Sequence, residues 1–331
     1  MPAATKPLVI QTEDLDPICV AWLSERCEVV RCFHTEPQFP GLLARAEGLV
    51  VRTYTRVDDA LLAGAPHLKV VGRAGVALEN VDVGACLARG VQVCNTPGSN
   101  TRAVVEFFTA LLMDAVRPRV FLDGPLEGED WHTARREFVA EKELSEMTLG
   151  IWGFGRIGSS VARVGRALDM RVLYHDIVEI PADRRHGAEP VGLDRMLAES
   201  DVLTLHIDYR RANRHALSTA QLGRVKEDVL LINTSRGFVV DPDALAAFLN
   251  EHPRASAVLD VHDPFEPMPA TYPLLGVENA FLTPHLASGT ERAKREMSWV
   301  VRDVWRVLSG EKPENPPPKF LLDEVSAAAA R

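Results

Sequence analysis

Three polar side chains that can do chemistry directly follow short apolar segments of the kind that form strands. Arg236 follows VLLINTS, Asp260 ends SAVLD, and His285 follows AFLTP. Open α/β sheets hold their ligands at the carboxyl ends of the strands. Histidine gains and loses a proton near neutral pH, and arginine forks onto a carboxylate and a neighbouring oxygen. The set therefore suits hydride transfer, which needs a base for an alcohol proton and a cation for a carbonyl oxygen.

A carboxylate beside the imidazole would fix its tautomer and favour its protonated form. The stretch LDVHDPFEP offers Glu266 for this role, and Asp263 is the second candidate. A solvated loop glutamate before a proline is the alternative interpretation of Glu266. We expect Arg236, Glu266 and His285 to be the catalytic residues.

A glycine-rich segment, GFGRIG from Gly153 to Gly158, follows the predicted strand TLGIW and begins the predicted helix RIGSSVARVGRALDM. Its backbone N–H groups and the helix N-terminus can hold a pyrophosphate. Gly155 would let the phosphates approach closely, and Gly158 would let the helix pack on its strand. With Arg156 and Ile157 in the same turn, the segment predicts a dinucleotide site, and a merely structural turn is the alternative.

The next predicted strand, RVLYH, is followed by Asp176. A carboxylate at this spacing accepts hydrogen bonds from the adenosine ribose diol. It would repel a 2′-phosphate, and Ile177, Val178 and Glu179 follow it without an arginine. The expected cofactor is therefore NAD rather than NADP.

The elements that must position these residues form two series of strands. Over the first hundred residues, short apolar runs alternate with helix-length segments, which is the rhythm of a parallel sheet. The rhythm breaks at NTPGSN, before a helical pattern from Thr101 to Arg117, and a second series begins at TLGIWG. We predict an α/β fold of two doubly wound parallel-sheet domains, a flavodoxin-like substrate domain and a Rossmann NAD-binding domain, with a cleft between them.

The predicted domain boundaries follow from this break. Residues 1–99 form the substrate-binding domain, residues 100–288 form the NAD-binding domain, and residues 289–331 complete the first. The last long helical pattern, Thr290 to Leu308, would return to the first domain. The segments ENPPPKF and SAAAAR are expected to form a surface extension.

Composition excludes several classes of protein. With 331 residues, 46% hydrophobic and 25% charged residues, the chain has the composition of a globular protein. Its net charge of -9 and lack of a basic run argue against nucleic acid as a partner. No apolar run reaches the roughly 18 residues of a membrane span. Its 5 cysteines form no CxxC pair, so we expect buried, reduced thiols, no metal site and a cytoplasmic location.

From about Leu49 to Gly310 the sequence resembles the D-isomer-specific 2-hydroxyacid dehydrogenases, in particular the phosphoglycerate dehydrogenase-like branch. The resemblance is carried by VVRTYTRVD, LKVVGRAGVALENVD, GVQVCNTPGSNTRAVVEF, TLGIWGFGRIG, INTSRGFVVD, LDVHDPFEP and LTPHLASGT. It implies an Arg, Glu, His set at Arg236, Glu266 and His285. Phe265, or a neighbour, stands as one residue more than the family usually has before the glutamate.

The resemblance also assigns residues to the cofactor. It implies that Asp260 holds the nicotinamide carboxamide and that Ser235 lies beside that ring, and we place His206, Thr234 and His285 in the same site. Asp208 stands where the family often has a proline, so we expect the adenine side of the site to be shaped differently.

In the first domain, the resemblance implies that backbone N–H groups of the loop from Ala74 to Ala77, which includes Gly75 and Val76, bind the substrate carboxylate. Ala77 stands where the family has glycine, and a plain strand-to-helix turn is the alternative interpretation. Arg52 and Arg73 would meet a second anionic group such as a phosphate, or pair with local carboxylates. Asn100 is also expected at the substrate.

These expectations together predict an NAD-dependent oxidoreductase that interconverts a D-2-hydroxy acid and its 2-oxo acid, with 3-phosphoglycerate, glyoxylate and hydroxypyruvate as candidates. The alternative is an NAD(H)-sensing, corepressor-like binding protein. Formate oxidation is disfavoured because the related formate dehydrogenases carry glutamine where Glu266 stands. The family commonly forms homodimers through its cofactor domains, so a homodimer is expected.

Overall fold

The computed structural model of the protein describes residues 6–137, 139–263 and 267–329. The chain forms two compact units. One unit contains the residues up to Asn100 and those from Gly289 onward, and the other contains Thr101–Ser288. Each unit is built on one parallel sheet, which confirms the predicted α/β fold class.

Helices and strands alternate along the chain in both units. The first unit begins with β1 (Leu8–Gln11), α1 (Pro17–Ser24), β2 (Glu28–Arg31), α2 (Phe39–Leu43), β3 (Gly48–Val51), α3 (Asp59–Ala63), β4 (Val70–Arg73), α4 (Val83–Ala88) and β5 (Gln92–Cys94). The second unit contains α5 (Thr101–Val116), α6 (Gly128–Glu137), β6 (Thr148–Trp152), α7 (Arg156–Ala167), β7 (Arg171–His175), β8 (Glu189–Pro190), α8 (Leu193–Glu199), β9 (Val202–Leu205), α9 (Thr219–Leu222), β10 (Leu230–Asn233), α10 (Pro242–Glu251), β11 (Ser256–Leu259) and β12 (Ala280–Leu282). The chain then returns to the first unit with α11 (Glu291–Ser298), α12 (Val300–Leu308) and α13 (Lys319–Ala329). Within the described residues, no helix is both long and apolar enough to cross a bilayer.

The sheet of the first unit has the strand order β2-β1-β3-β4-β5, and every neighbouring pair is parallel. This is the predicted flavodoxin-like order. Successive side chains of a strand point to opposite faces. Ile10 and Leu49 accordingly pack in one hydrophobic core, and Val9 and Val50 pack in a second core that includes side chains of α12.

The sheet of the second unit has the order β12-β11-β10-β9-β6-β7-β8, again with all pairs parallel. β6 lies between β7 and β9, so the order of the strands reverses at β6. Rossmann folds bind their dinucleotide at this point, outside the carboxyl ends of the strands. The carboxyl ends of β6, β7 and β9–β12 therefore lie along the edge of the sheet that carries the predicted site residues.

The C-terminal segment differs from the prediction in two respects. The helical pattern from Thr290 is interrupted at Trp299, whose ψ of 0° ends α11. The predicted surface extension is wrong for the segment around Asn315, because the buried carboxylate of Asp303 accepts hydrogen bonds from the backbone N–H groups of Glu314 and Asn315 and from Asn315 Nδ2. α13 then packs apolar side chains against the core beside α4 (Leu321, Leu322 and Val325).

The cysteines are all buried and free, as the sequence predicts. Burial raises the pKa of Cys19 and Cys86 to about 12 and that of Cys27 to about 11. These thiols therefore stay protonated and unreactive at neutral pH.

Glycine allows α7 to lie close to β6. A methyl group on Gly158 would lie 2.0 Å from the carbonyl oxygen of Gly153, which is backbone and cannot rotate away. A methyl group on Gly155, in contrast, would meet no heavy atom of the described residues within 4 Å. Gly158 is thus required by the packing of the protein itself, and Gly155 is not.

We predict that Gly158→Ala lowers the free energy of unfolding by about 3 kcal/mol, because the clash forces α7 away from the sheet. Gly155→Ala, the matched control, should change it by less than about 1 kcal/mol. Urea denaturation of the purified variants measures both values. Equal midpoints for the two variants would contradict the packing described for α7.

Candidate active site

The glycine-rich loop joins β6 to α7 at the carboxyl edge of the second sheet. Gly153 has a φ of +95°, which favours glycine, and its N–H donates a hydrogen bond to the carbonyl of His175 at 2.8 Å. A methyl group there would lie 2.6 Å from the backbone of His206. Arg156, Ile157 and Gly158 form the first turn of α7, and the open side of Gly155 leaves room for a phosphate to reach their N–H groups.

Asp176 follows β7 and faces the same loop. Its carboxylate accepts hydrogen bonds from the N–H groups of Phe154 at 2.5 Å and Val178 at 2.9 Å. A carboxylate has about four lone-pair positions, so two remain for the hydroxyls of a ribose. The two backbone contacts fix the direction in which these positions point.

Two buried polar atoms lie at the next strand ends without a partner among the described residues. They are His206 Nδ1, after β9, and Thr234 Oγ1, after β10. Burial lowers the pKa of His206 to about 3, so its imidazole is neutral, and His206 Nε2 lies 3.0 Å from Thr204 Oγ1. Unpaired buried polar atoms are costly and uncommon. They fit a site that a polar ligand completes.

The loop after β10 carries Arg236 and is held by Asn233. Asn233 Oδ1 accepts hydrogen bonds from the N–H and the Oγ of Ser235, at 3.0 and 2.7 Å, and Asn233 Nδ2 donates to the carbonyl of Arg236 at 3.0 Å. A methyl group on Gly237 would lie 2.0 Å from the carbonyl carbon of His262. The loops that follow β10 and β11 therefore touch through Gly237.

Asp260 clamps the loop that carries His285. Its side chain is fully buried, and its carboxylate accepts hydrogen bonds from Thr283 Oγ1 at 2.6 Å and from the N–H groups of Leu286 and Ala287 at 2.7 and 2.8 Å. Its backbone carbonyl accepts a further hydrogen bond from the N–H of His285 at 2.9 Å. These contacts occupy Asp260 with the loop, and its predicted contact with a nicotinamide carboxamide stays a prediction.

The clamp holds His285 in an unusual backbone conformation. His285 has a φ of +54°, in the left-handed region that residues other than glycine seldom adopt. Strain of this kind persists only where the surroundings impose it, and it is concentrated at functional sites. The strands β10, β11 and β12 are adjacent, so Arg236 and His285 follow strands that lie on either side of β11.

The acid expected beside His285 is Glu266, which lies outside the described residues. Asp263, the second candidate, has other partners. Its Oδ2 accepts a hydrogen bond from Arg214 at 3.3 Å and lies 3.4 Å from Nε2 of His215. We therefore keep Glu266 as the proposed partner of His285.

The segment after His206 forms a turn that the side chain of Asp208 closes. Arg210 donates to both carboxylate oxygens of Asp208, at 2.7 and 2.5 Å. Asn213 Nδ2 donates to Oδ1 and to the backbone carbonyl of Asp208, both at 2.9 Å. This network restricts the turn where a proline ring would otherwise do so.

In the first unit, the substrate-site candidates lie at the carboxyl ends of β3 and β4 and before α5. Arg73 ends β4, and its guanidinium crosses the bare face of Gly75, where a methyl group would lie 1.5 Å from one guanidinium nitrogen. Ala74 donates its N–H to the carbonyl of Val51, which places it beside Arg52. Arg52 donates to the carbonyl of Asp14 at 3.0 Å, and the partly buried Asn100 directly precedes α5.

Ala77, which replaces a family glycine, is accommodated without strain. Among the described residues other than glycine, a positive φ occurs only at Asp169, His186, His215 and His285. Since Ala77 is not among them, its backbone does not adopt the left-handed conformation that favours glycine.

Sequence reasoning missed three residues that build this site. Asn233 and Thr283 hold the loops of Arg236 and His285, and Gly237 allows two loops to meet. For Asn233 and Thr283 the sequence signal is a polar residue at the end of an apolar strand. This signal is weaker than that of the charged residues that follow.

Comparisons with known proteins identify the family of this chain. Residues 109–287 match the family described as D-isomer specific 2-hydroxyacid dehydrogenase, NAD binding domain. A glyoxylate reductase of Aeropyrum pernix is 34% identical over 94% of this chain and 95% of its own. A D-3-phosphoglycerate dehydrogenase of Archaeoglobus fulgidus is 34% identical over 80% of this chain and 50% of its own.

A solved structure of D-lactate dehydrogenase from Aquifex aeolicus, complexed with NAD and lactic acid, has the same fold. It superposes with a TM-score of 0.79 and 27% identity, covering 92% of this chain and 96% of that one. The strand-end residues, the glycine-rich loop and these likenesses lead to one conclusion. The chain belongs to the D-isomer-specific 2-hydroxyacid dehydrogenase family and is an NAD-dependent oxidoreductase.

Proposed function

We propose that the protein interconverts a small D-2-hydroxy acid and its 2-oxo acid, with Arg236, Glu266 and His285 as catalytic residues. The observation that carries the proposal is the clamp of Asp260 on the loop of His285. The clamp fixes the backbone of His285 at one strand end, while Asn233 fixes the loop of Arg236 two strands away. Catalysis by a base and a cation depends on such preorganised positions.

In the oxidative direction, His285 takes the proton of the C2 hydroxyl, and in the reductive direction it returns that proton to the C2 oxygen. Glu266 favours the protonated imidazole. Arg236 pairs with the substrate carboxylate and stabilises negative charge on the C2 oxygen.

The residues that would hold NAD are the turn Gly153–Gly158 for the pyrophosphate and Asp176 for the adenosine ribose. His206, Thr234 and Ser235 would complete the site, and Asp260 would border it while its carboxylate holds the loop of His285. Hydride exchange with C2 of the substrate is the chemistry that NAD supplies when bound. Asp176 favours NAD over NADP because its carboxylate would repel a 2′-phosphate.

Of the expected loop donors, the N–H groups of Ala74 and Gly75 already donate to the carbonyls of Val51 and Arg73. The substrate carboxylate would therefore bind to the backbone N–H of Val76, with Asn100 as a further contact. Glyoxylate and hydroxypyruvate are the first candidates, since a glyoxylate reductase is among the relatives. A 3-phosphoglycerate-type substrate is the second candidate, because Arg52 and Arg73 supply two cations near this loop and a relative acts on that class. The corepressor-like alternative is not favoured, because the relatives carry the names of dehydrogenases and reductases.

A homodimer is the proposed assembly. α6 has no buried residue. Apolar side chains before, on and after this helix are at least 45% exposed (Val120, Phe121, Leu122, Trp131 and Val139). Several large apolar side chains exposed along one segment favour a protein contact there. A second copy of the chain, related by a twofold axis, would cover it.

The proposed location is the cytoplasm. All five cysteines are free and buried. Disulfides are rare in reducing compartments, and free thiols suit them.

We predict that Arg236→Ala lowers kcat/KM for the preferred 2-oxo acid by about 1,000-fold and that His285→Gln lowers it by about 100-fold or more. Arg224→Ala is the matched control, because Arg224 pairs with Asp194 on the surface. The assay is NADH consumption with glyoxylate, hydroxypyruvate, pyruvate, phenylpyruvate and 3-phosphohydroxypyruvate. Retained turnover of every accepted acid by Arg236→Ala would refute the proposed role.

We predict that the double variant Phe121→Ser, Trp131→Ser is a monomer in solution, because it removes two exposed apolar anchors. Leu275→Ser serves as the control, since Leu275 is similarly exposed elsewhere in the same unit. Light scattering after size-exclusion chromatography gives the mass. If wild type and the double variant have the same mass, this surface is not the dimer contact.

A further inference from the structure

The carbonyl groups of two successive residues in the loop after β4 are held by the residues that follow β5. The carbonyl of Gly75 accepts a hydrogen bond from the N–H of Thr96 at 3.0 Å. The carbonyl of Val76 accepts one from Nδ2 of Asn95. Asn95 and Thr96 therefore fix the orientation of two consecutive peptide groups.

The planarity of the peptide bond gives this arrangement a consequence. In a trans peptide the N–H points opposite to the C=O. Holding the carbonyls of Gly75 and Val76 on one side therefore directs the N–H groups of Val76 and Ala77 to the other side. Within the described residues, neither of these N–H groups has a hydrogen-bond partner. Two successive N–H groups that point the same way form a small anion-binding concavity.

Asn95 is placed at some energetic cost. It is 1% exposed, and its Oδ1 is buried without a hydrogen-bond partner among the described residues. Turning the amide over would bring Oδ1 against the carbonyl of Val76, so the observed orientation is fixed. An unsatisfied buried carbonyl oxygen of this kind is destabilising. Asn95 therefore lowers stability at this position, which is consistent with a role in orienting the loop after β4.

The C-terminal segment supports Asn95 from behind. The N–H of Asn95 donates to the carbonyl of Asn315 at 3.2 Å. Asn315 is held in turn by the buried carboxylate of Asp303, through its N–H at 3.0 Å and its Nδ2 at 2.9 Å. A chain of hydrogen bonds thus runs from Asp303 through Asn315 and Asn95 to Val76.

We infer that Asn95, supported by Asn315 and Asp303, is a positioning residue that aims the N–H groups of Val76 and Ala77 at one carboxylate of the substrate. The inference rests on the proposed function for the class of ligand, and it adds Asn95 and the C-terminal segment to the binding of that ligand. It also explains why alanine serves at position 77, since only its backbone N–H is used.

The test measures binding without turnover. Oxamate, an unreactive analogue of a 2-oxo acid, is titrated calorimetrically into the NADH-bound enzyme. Asn95→Ala should weaken oxamate binding by about 10-fold, and Asp303→Asn by about 3-fold, while NADH affinity stays within about 2-fold. Hydrogen exchange at residues 76–77 should slow on adding oxamate to wild type and slow less in both variants.

Asn279→Ala is the matched control. The Nδ2 of Asn279 also donates hydrogen bonds to backbone carbonyls. These belong to Leu249, His252 and Ala255, which precede β11. This variant should lower thermal stability without changing oxamate affinity. Unchanged oxamate affinity in folded Asn95→Ala would overturn the inference, and if that variant does not fold, unchanged affinity in Asp303→Asn would do so. If Asn95→Ala weakens oxamate binding but the wild-type enzyme turns over none of the 2-oxo acids, the inference stands and only the proposed function is refuted.

Discussion

The buried carboxylate of Asp260 is the constraint on which the rest of the site depends. Removing a carboxylate from water is very costly unless hydrogen-bond donors replace the water. All three donors seen on Asp260 come from residues Thr283 to Ala287. This loop cannot leave without exposing or stranding the charge, so His285 keeps its left-handed backbone conformation. Hydrogen bonds to a buried carboxylate thus hold the backbone of the loop that carries the imidazole.

In the first unit, a buried aspartate carboxylate likewise holds a segment of the chain. Asp303 is buried and accepts three hydrogen bonds from Glu314 and Asn315, which anchors the segment behind Asn95. In both units a charge-assisted cluster fixes a loop that adjoins a strand end. The parallel sheets supply the strand ends, and the buried aspartates determine how the chain leaves or approaches them.

Local patterns explain what the sequence could predict. Among the described strands, all except β8 coincide with short apolar runs, and GFGRIG with Asp176 indicated the cofactor site, because each signal is confined to a few neighbouring residues. β8 escaped prediction because it has only two residues and no apolar run. The partners of Asp260 and Asp303 and the break at Trp299 depend on contacts between distant segments, which composition and periodicity do not record. For the same reason the sequence did not reveal the contacts of Asp263 with Arg214 and His215, which support the proposal of Glu266 as the acid beside His285.

The most direct test of this account is the variant Asp260→Asn, which keeps the size of the side chain and removes its charge. The side-chain amide nitrogen of the variant would face N–H donors, from which it cannot accept hydrogen bonds. The loop of His285 should therefore lose its fixed position. We expect kcat to fall by about 100-fold or more, with the Kd for NADH changed by less than about 3-fold. Weakened NADH binding with an unchanged kcat at saturation would contradict the account and would indicate that Asp260 serves the nicotinamide instead.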